Sequence, residues 1–322
     1  MMSLRARVAR RTFGAAIRQL RRFRERDTGP ITPDSPMEVY EQGALEVREA
    51  LDLLTRNTLL PFGVEEERAE GAPVPAWWFV GDEPTEGRVV LYLHGGAYVA
   101  GSHATHRGLA AAFVKGAKAR VLVPDYRLAP EDRFPAAVDD ALATYRWLLE
   151  EEGVDPSRIA FAGDSAGGGL TIALAVAVRD AGLPVPAGLA CMSPWVDLTG
   201  SGASVVDNDH QDIWLDGVLI EPAGRMYAPD DPTHPYASPL FADLTGLPPM
   251  LVHVGTHEVL LDDARRIVAR AREHGVEASV GEFEGMWHVF QAIPGVPEGI
   301  RSLRELTAFV RRVTSAPVRA AA

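Results

Sequence analysis

Cysteine is almost missing from this chain: Cys191 stands alone among 322 residues. One thiol cannot close an intramolecular disulfide, so a stapled secreted scaffold is excluded and a reducing, cytoplasmic setting is the expectation. Long apolar runs are also missing. No window approaches the roughly 18 apolar residues of a membrane span, so stable membrane insertion is not expected. Positive charge is in the minority, 32 Lys and Arg against 44 Asp and Glu, for a net charge of −12. An acidic surface repels polyphosphate, which argues against nucleic acid as the main partner. Internal repeats and low-complexity tracts are absent too. What is present is ordinary for a globular chain, 47% hydrophobic and 24% charged residues. A chain of this length buries enough apolar surface to need neither disulfide nor metal for stability.

The charge is unevenly spread. Residues 1–26 hold nine arginines and one glutamate, a local +8 that leaves −20 for the rest. This head either touches anionic lipid or folds against the acidic body; the second is favoured because that partner lies in the same chain. Arg10-Arg11-Thr12-Phe13 resembles a twin-arginine export signal, but Arg18, Arg21 and Arg22 break the apolar stretch such a signal requires.

Strand-like and helix-like runs alternate along most of the sequence. Strands are expected near Trp77–Val80 and at Val89–Leu93, Val121–Pro124, Ile159–Ala162, Gly188–Met192, Met250–Val254 and Ala278–Phe283. Most are continuous apolar runs, as for parallel strands covered on both faces. Helices are expected near 104–118, 136–152, 167–181, 262–274 and 298–313. The alternation implies an α/β fold with a mostly parallel central sheet and helices on both faces. Two regions break the rhythm: residues 1–60, mainly helical, and residues 198–238, rich in Asp, Gly and Pro. Added segments at strand C-terminal ends commonly build ligand sites, so both are candidates for a cap over that edge.

Gly163-Asp164-Ser165-Ala166-Gly167 fits G-x-S-x-G. With 30 glycines in the chain, about 0.1 chance matches are expected, so context decides. The motif follows a buried-strand run and opens a helix, the setting of a sharp turn that exposes a serine hydroxyl at the sheet edge. Ser165 is therefore the candidate nucleophile. His94-Gly95-Gly96-Ala97-Tyr98 directly follows the strand Val89–Leu93. Acyl transfer places negative charge on a carbonyl oxygen, and glycines let backbone N–H groups approach it closely. Donors are expected from Gly96 and Ala97, with Gly95 as a further candidate, and from Ala166 after the nucleophile. His94 is expected to brace the loop rather than to move protons. Tyr98 is a candidate for the substrate pocket.

These two motifs occur with Asp125-Tyr-Arg-Leu-Ala-Pro-Glu131, Ser193-Pro-Trp-Val-Asp-Leu-Thr199 and Tyr236-Ala-Ser-Pro-Leu240. Together they resemble the hormone-sensitive-lipase-like (family IV) bacterial carboxylesterases, and the resemblance runs from about residue 75 to the end. It implies an α/β-hydrolase domain over 61–322 with a cap insertion at about 198–238, an N-terminal helical cap over 1–60, and action on short acyl esters without cofactor or metal. Ala97 departs from the family, which usually has a third glycine there; a methyl group leaves the N–H in place. The segment from Asp125 to Glu131 is expected to position loops and is given no chemistry.

In this fold the base follows the acid in sequence. His288, in Gly285-Met-Trp-His-Val-Phe290 after the last strand, fits; His274 in a helix and His253 in a strand do not. Trp287 beside it either lines the pocket or simply packs. For the acid, Glu258 and Asp262 both follow the strand at Met250–Val254. Family members usually carry Asp where Glu258 falls, and Glu can serve equally to hold the imidazole. Glu258 is preferred, with Asp262 as a helix-capping residue.

Rival readings remain. His103 with His106 and His253 with His257 offer paired imidazoles, without a third ligand or an H-E-x-x-H pattern. A small-molecule receptor on the same fold would be marked by loss of the base. A lactone, an acetylated metabolite or an amide would use the same nucleophile, hole and base as a simple ester. The partner in each case is a small molecule, and an oligomer is compatible with all of them.

Overall fold

The structure is a computed structural model that describes residues 2–15, 32, 35–55 and 59–315. One sheet holds eight strands: β1 (Val64–Arg68), β2 (Ala76–Gly81), β3 (Val89–Leu93), β4 (Arg120–Pro124), β5 (Ile159–Asp164), β6 (Gly188–Met192), β7 (Met250–Gly255) and β8 (Ala278–Phe283). Their order across the sheet is β1-β2-β4-β3-β5-β6-β7-β8. β2 runs antiparallel to both its neighbours, β1 and β4, and every pairing from β4 to β8 is parallel. The fold is the mostly parallel α/β sheet that the alternating runs imply.

The central strands are apolar throughout because both faces are covered. All residues of β3, β5 and β6 are buried. Val89, Leu91 and Leu93 of β3 face a core shared with α4 (Ala136–Glu150), α5 (Ser165–Asp180) and α8 (Leu261–Glu273). Val90 and Tyr92 point the other way, into a core with α3 (Arg107–Ala117) and α9 (Pro297–Val313). This period-two alternation between two apolar cores is the pleat of a strand expressed in packing.

β1 escapes the sequence reading for a physical reason. Its residues, Val-Glu-Glu-Glu-Arg, contribute one buried side chain at a sheet edge, and the charges there discourage pairing with another chain.

The described part of residues 1–60 is helical: α1 (4–15) and α2 (Met37–Thr55). α1 docks through Ala6 onto Phe283, Met286, Trp287 and Phe290, and Ser3 bonds the Glu298 carboxylate through N at 2.6 Å and Oγ at 2.8 Å. α2 packs Tyr40 and Ala44 onto the larger core. Residues 198–238 form α6 (Ser204–Asp207), α7 (Ile220–Tyr227) and intervening turns. Arg18, Arg21, Arg22, Arg24 and Arg26 of the basic head lie outside the described residues. Among the described residues no helix is long and apolar enough to cross a membrane.

Candidate active site

The chain turns sharply from β5 into α5, and Ser165 sits at the turn with φ +54°. Glycines make this turn possible. A Cβ on Gly163 would lie 2.7 Å from the Leu93 carbonyl oxygen, and one on Gly167 would collide with the carbonyls of Leu93 and His94. β3 and the start of α5 thus pass too closely for side chains. α5 begins at Ser165 itself, two residues before the expected start, so the amides of its first turn lie beside the hydroxyl.

His288 reaches this serine from the loop after β8: its Nε2 lies 2.9 Å from Ser165 Oγ. Its Nδ1 faces Glu258 Oε1 at 3.4 Å. Both are buried, His288 at 4% exposure and Glu258 at 0%. Burial alone pulls the imidazole down, but the hydrogen bond and charge of Glu258, aided by the charges of Asp212 and Asp164, more than offset it. The net shift of His288 is upward from its ordinary 6.5. Glu258 is held on its other oxygen, where Oε2 accepts from Gly255 N–H at 2.9 Å and from Ser193 Oγ at 2.9 Å. Asp262 is elsewhere. Its Oδ2 accepts from Ser204 N–H at 3.0 Å in the first turn of α8, so Glu258 and not Asp262 meets His288.

The segment after β3 runs alongside the serine: a Cβ on Gly95 would sit 3.1 Å from Ser165 Cβ. Gly96 takes φ +123° and Ala97 φ +54°, a left-handed conformation costly for alanine. The Gly96 carbonyl accepts from Val99 N–H at 3.0 Å and Ala100 N–H at 2.9 Å, closing a tight turn. Among the described residues, neither Gly96 N–H nor Ala97 N–H has an acceptor. Gly95 requires a correction. Its N–H is turned away, 3.3 Å from Asp164 Oδ1 and 3.2 Å from His106 Nε2, and so is not aimed at the site.

His94 braces this loop. Its Nδ1 donates to Gly95 O at 2.9 Å, its ring stacks on Tyr126 at 4.1 Å, and its carbonyl accepts from Tyr126 Oη at 2.6 Å. Burial and the neighbouring His106 lower its pKa to about 4, so it stays neutral. Tyr98 and Trp287 are a second correction. Both are fully buried; Tyr98 stacks on Tyr227 at 3.8 Å, and Trp287 packs under α1 with Phe283 and Phe290. Neither offers surface to a substrate, so the packing alternative holds for Trp287 and extends to Tyr98.

Several residues that were given no chemistry support the site. Asp164 accepts from Tyr92 Oη at 2.6 Å and faces His106 Nε2 at 3.4 Å. Burial raises its carboxyl, but His106 and Tyr92 more than reverse this, so it stays charged. Arg48 of α2 donates to Val99 O at 2.7 Å and Ala129 O at 2.7 Å and pairs with Glu131 at 2.8 Å. The Asp125–Glu131 segment is thus a strut between the turn at Gly96 and α2. Arg10 of α1 lies 3.0 Å from His257 Nδ1 and donates to Gln211 O at 2.9 Å, which brings α1 against the loop that carries Glu258. The paired histidines are otherwise engaged. His103 sits between Asp125 and Glu66, and His253 Nδ1 lies 2.8 Å from Ser302 Oγ.

A family model described as alpha/beta hydrolase fold matches residues 90–292. The chain belongs to the α/β-hydrolase family. It is 48% identical to an acetyl-hydrolase from Streptomyces hygroscopicus over 71% of this chain and 77% of that protein. It is 36% identical to an esterase from Acinetobacter venetianus, over 69% of this chain and 74% of the relative. Among solved structures, an esterase of the bacterial hormone-sensitive lipase family superposes with a TM-score of 0.80 at 40% identity, covering 88% of this chain and 99% of that one. These matches place this α/β hydrolase in the bacterial hormone-sensitive-lipase group that its motifs resemble.

Proposed function

We propose that this α/β hydrolase is a serine esterase that cleaves small carboxylic esters through an acyl-enzyme on Ser165. The observation that carries the reading is the 2.9 Å approach of His288 Nε2 to Ser165 Oγ, with buried Glu258 on the opposite ring nitrogen. Ser165 Oγ attacks the ester carbonyl while His288 takes its proton. The oxyanion that forms is stabilised by Gly96, Ala97 and Ala166 N–H groups, the first two in a turn fixed before substrate arrives. The tetrahedral adduct then expels the alcohol, which receives the proton from His288. Water attacks the acyl-enzyme with His288 again as base, releasing the acid and restoring Ser165. Glu258 holds the imidazole tautomer and stabilises the imidazolium. No cofactor enters these steps.

The substrate is a short-to-medium acyl ester. Ser165 is only 9% exposed, and a cap built from residues 1–60 and 198–238 restricts the acyl chain in this reading. Each buried methylene adds about 0.8 kcal/mol only while the pocket has room. A second reading, deacetylation of a small metabolite by the same groups, draws support from the relative named acetyl-hydrolase. The lone Cys191 is compatible with a cytoplasmic location.

The test is an acyl series of p-nitrophenyl esters alongside O-acetyl and N-acetyl small molecules. A maximum in kcat/KM at about two to eight carbons is expected. Efficiency that climbs through palmitate contradicts the short-chain reading, and a strong preference for one acetylated compound over p-nitrophenyl acetate favours the deacetylase.

A further inference from the structure

The 198–238 insertion grips the loop that presents Glu258, and it does so with three side chains spaced four residues apart. Ser204 Oγ donates to Val259 O at 2.7 Å and accepts from Asp262 N–H at 3.0 Å. Asn208 Nδ2 donates to Glu258 O at 3.0 Å and to Thr256 O at 3.2 Å. Asp212 Oδ2 accepts from Val259 N–H at 3.1 Å, and its Oδ1 accepts from Trp214 N–H at 2.9 Å. All three are at most 9% exposed.

Asp212 differs from the other two. Accepting backbone N–H bonds needs only a neutral oxygen, and a buried carboxylate carries a desolvation cost that an amide avoids. What the carboxylate adds is charge, placed where the reaction creates an opposite one. The charged groups that act on it are His288 and Glu258, and it acts in turn on Arg10 of α1. His288 in turn faces Glu258, Asp212 and Asp164.

We propose that Asp212 is a positioning residue for the Ser165–His288–Glu258 group: it fixes the acid loop through Val259 N–H and supplies a second negative charge that stabilises the His288 imidazolium. The inference rests on the serine-esterase reading. It extends the acid side of the site from one carboxylate to two, one bonded to the imidazole and one acting at longer range from the insertion. Burial, the largest influence, pushes the Asp212 carboxyl up and Glu258 adds to it, while the His288 charge and the Trp214 and Val259 N–H bonds pull it back, for a net value raised to about 6.

The test compares kcat/KM against pH for wild type, Asp212→Asn, Asp212→Glu and Asn208→Ala on p-nitrophenyl butyrate, with Ser165 labelling by an organophosphate in each. In Asp212→Asn the acid limb should move down by roughly half a pH unit or more, because imidazolium loses a stabilising charge. Its kcat should fall about tenfold. Asp212→Glu should restore the limb. Asn208→Ala loosens the same loop without removing charge, so it should lower kcat and leave the limb in place. A limb that stays put in Asp212→Asn, or that moves equally in Asn208→Ala, overturns the proposal. Should Asp212→Asn not fold, carboxyl ¹³C NMR of the wild type decides. A titration of Asp212 coupled to that of His288 supports the proposal, and one uncoupled from it refutes it. A wild type that neither labels nor turns over sinks the esterase reading itself, a result distinct from an unmoved limb in a labelled, active enzyme.

Discussion

The Ser193 hydroxyl donates to Glu258 Oε2 at 2.9 Å and accepts from Val289 N–H at 3.1 Å. One side chain thereby ties the acid to the residue that follows the base, and Glu258 Oε1 is left facing His288. Ser193 holds this position with φ +47° directly after β6. Ser193→Ala should leave a buried carboxylate oxygen one donor short and a buried N–H without its acceptor. The expected cost is about 1–3 kcal/mol of stability, together with a fall in kcat and little change in KM. Denaturant unfolding and steady-state kinetics on one ester check both parts.

Glu258 and Asp262 have different partners, His288 Nδ1 for the first and Ser204 N–H for the second. Replacing the orienting carboxylate with its amide costs roughly 10⁴ in kcat in the serine protease where it is best measured. Glu258→Gln should lose rate on that scale. Asp262→Asn should keep most of the rate, since its partners are Ser204 N–H at 3.0 Å and Arg265 at 3.7 Å. Rapid kinetics on p-nitrophenyl acetate distinguish them, and a rate loss confined to Asp262→Asn would reverse the assignment.

The pH dependence follows from His288. Its pKa in the folded protein is raised from 6.5, so a neutral base is present only above that value. kcat/KM should therefore rise with pH through an inflection above 6.5. The stability linkage has the opposite sense. A raised imidazole contributes stability that is fully present below its unfolded pKa and is lost as pH climbs through the folded value. Activity should thus increase over the same window in which this contribution to stability declines. An activity limb below pH 6 would contradict the assigned surroundings of the imidazole.

Arg48 links α2 to the turn at Gly96. The side chain of its ion-pair partner Glu131 is 53% exposed, so that pair adds little to stability. Its bonds to Val99 O and Ala129 O, both 2.7 Å, matter more for the shape of the turn. Arg48→Ala should shift the melting temperature by a degree or two at most and reduce kcat several-fold, whereas Glu131→Gln should leave kcat nearly unchanged. Equal losses in both variants would assign the effect to the ion pair.

Legibility in the sequence depended on how local the governing physics is. β3 and β6 are apolar runs set by burial on both faces, and they were readable to the residue; β1 is an acidic edge held by pairing alone and was not. Ser165 and His288 were legible because a strand-to-helix turn and a loop after the last strand leave few alternatives. The direction of the Gly95 N–H was not, because it depends on Asp164, 69 residues away. The exposure of Tyr98 and Trp287 depends on packing by α7 and α1, which no motif reveals. The grip of Ser204, Asn208 and Asp212 was not legible, because the loop it holds lies about 50 residues further on.

The most direct measurement is a pre-steady-state burst with p-nitrophenyl acetate on wild type and Ser165→Ala, with mass spectrometry of the quenched protein. Wild type should release close to one equivalent of p-nitrophenol in the burst and carry an acetyl group on the peptide containing Ser165. Ser165→Ala should show no burst, no adduct and a kcat lower by about 10⁶, with an unchanged thermal transition. Near-normal turnover by Ser165→Ala, or an acetyl group found on another residue, would contradict catalysis through Ser165.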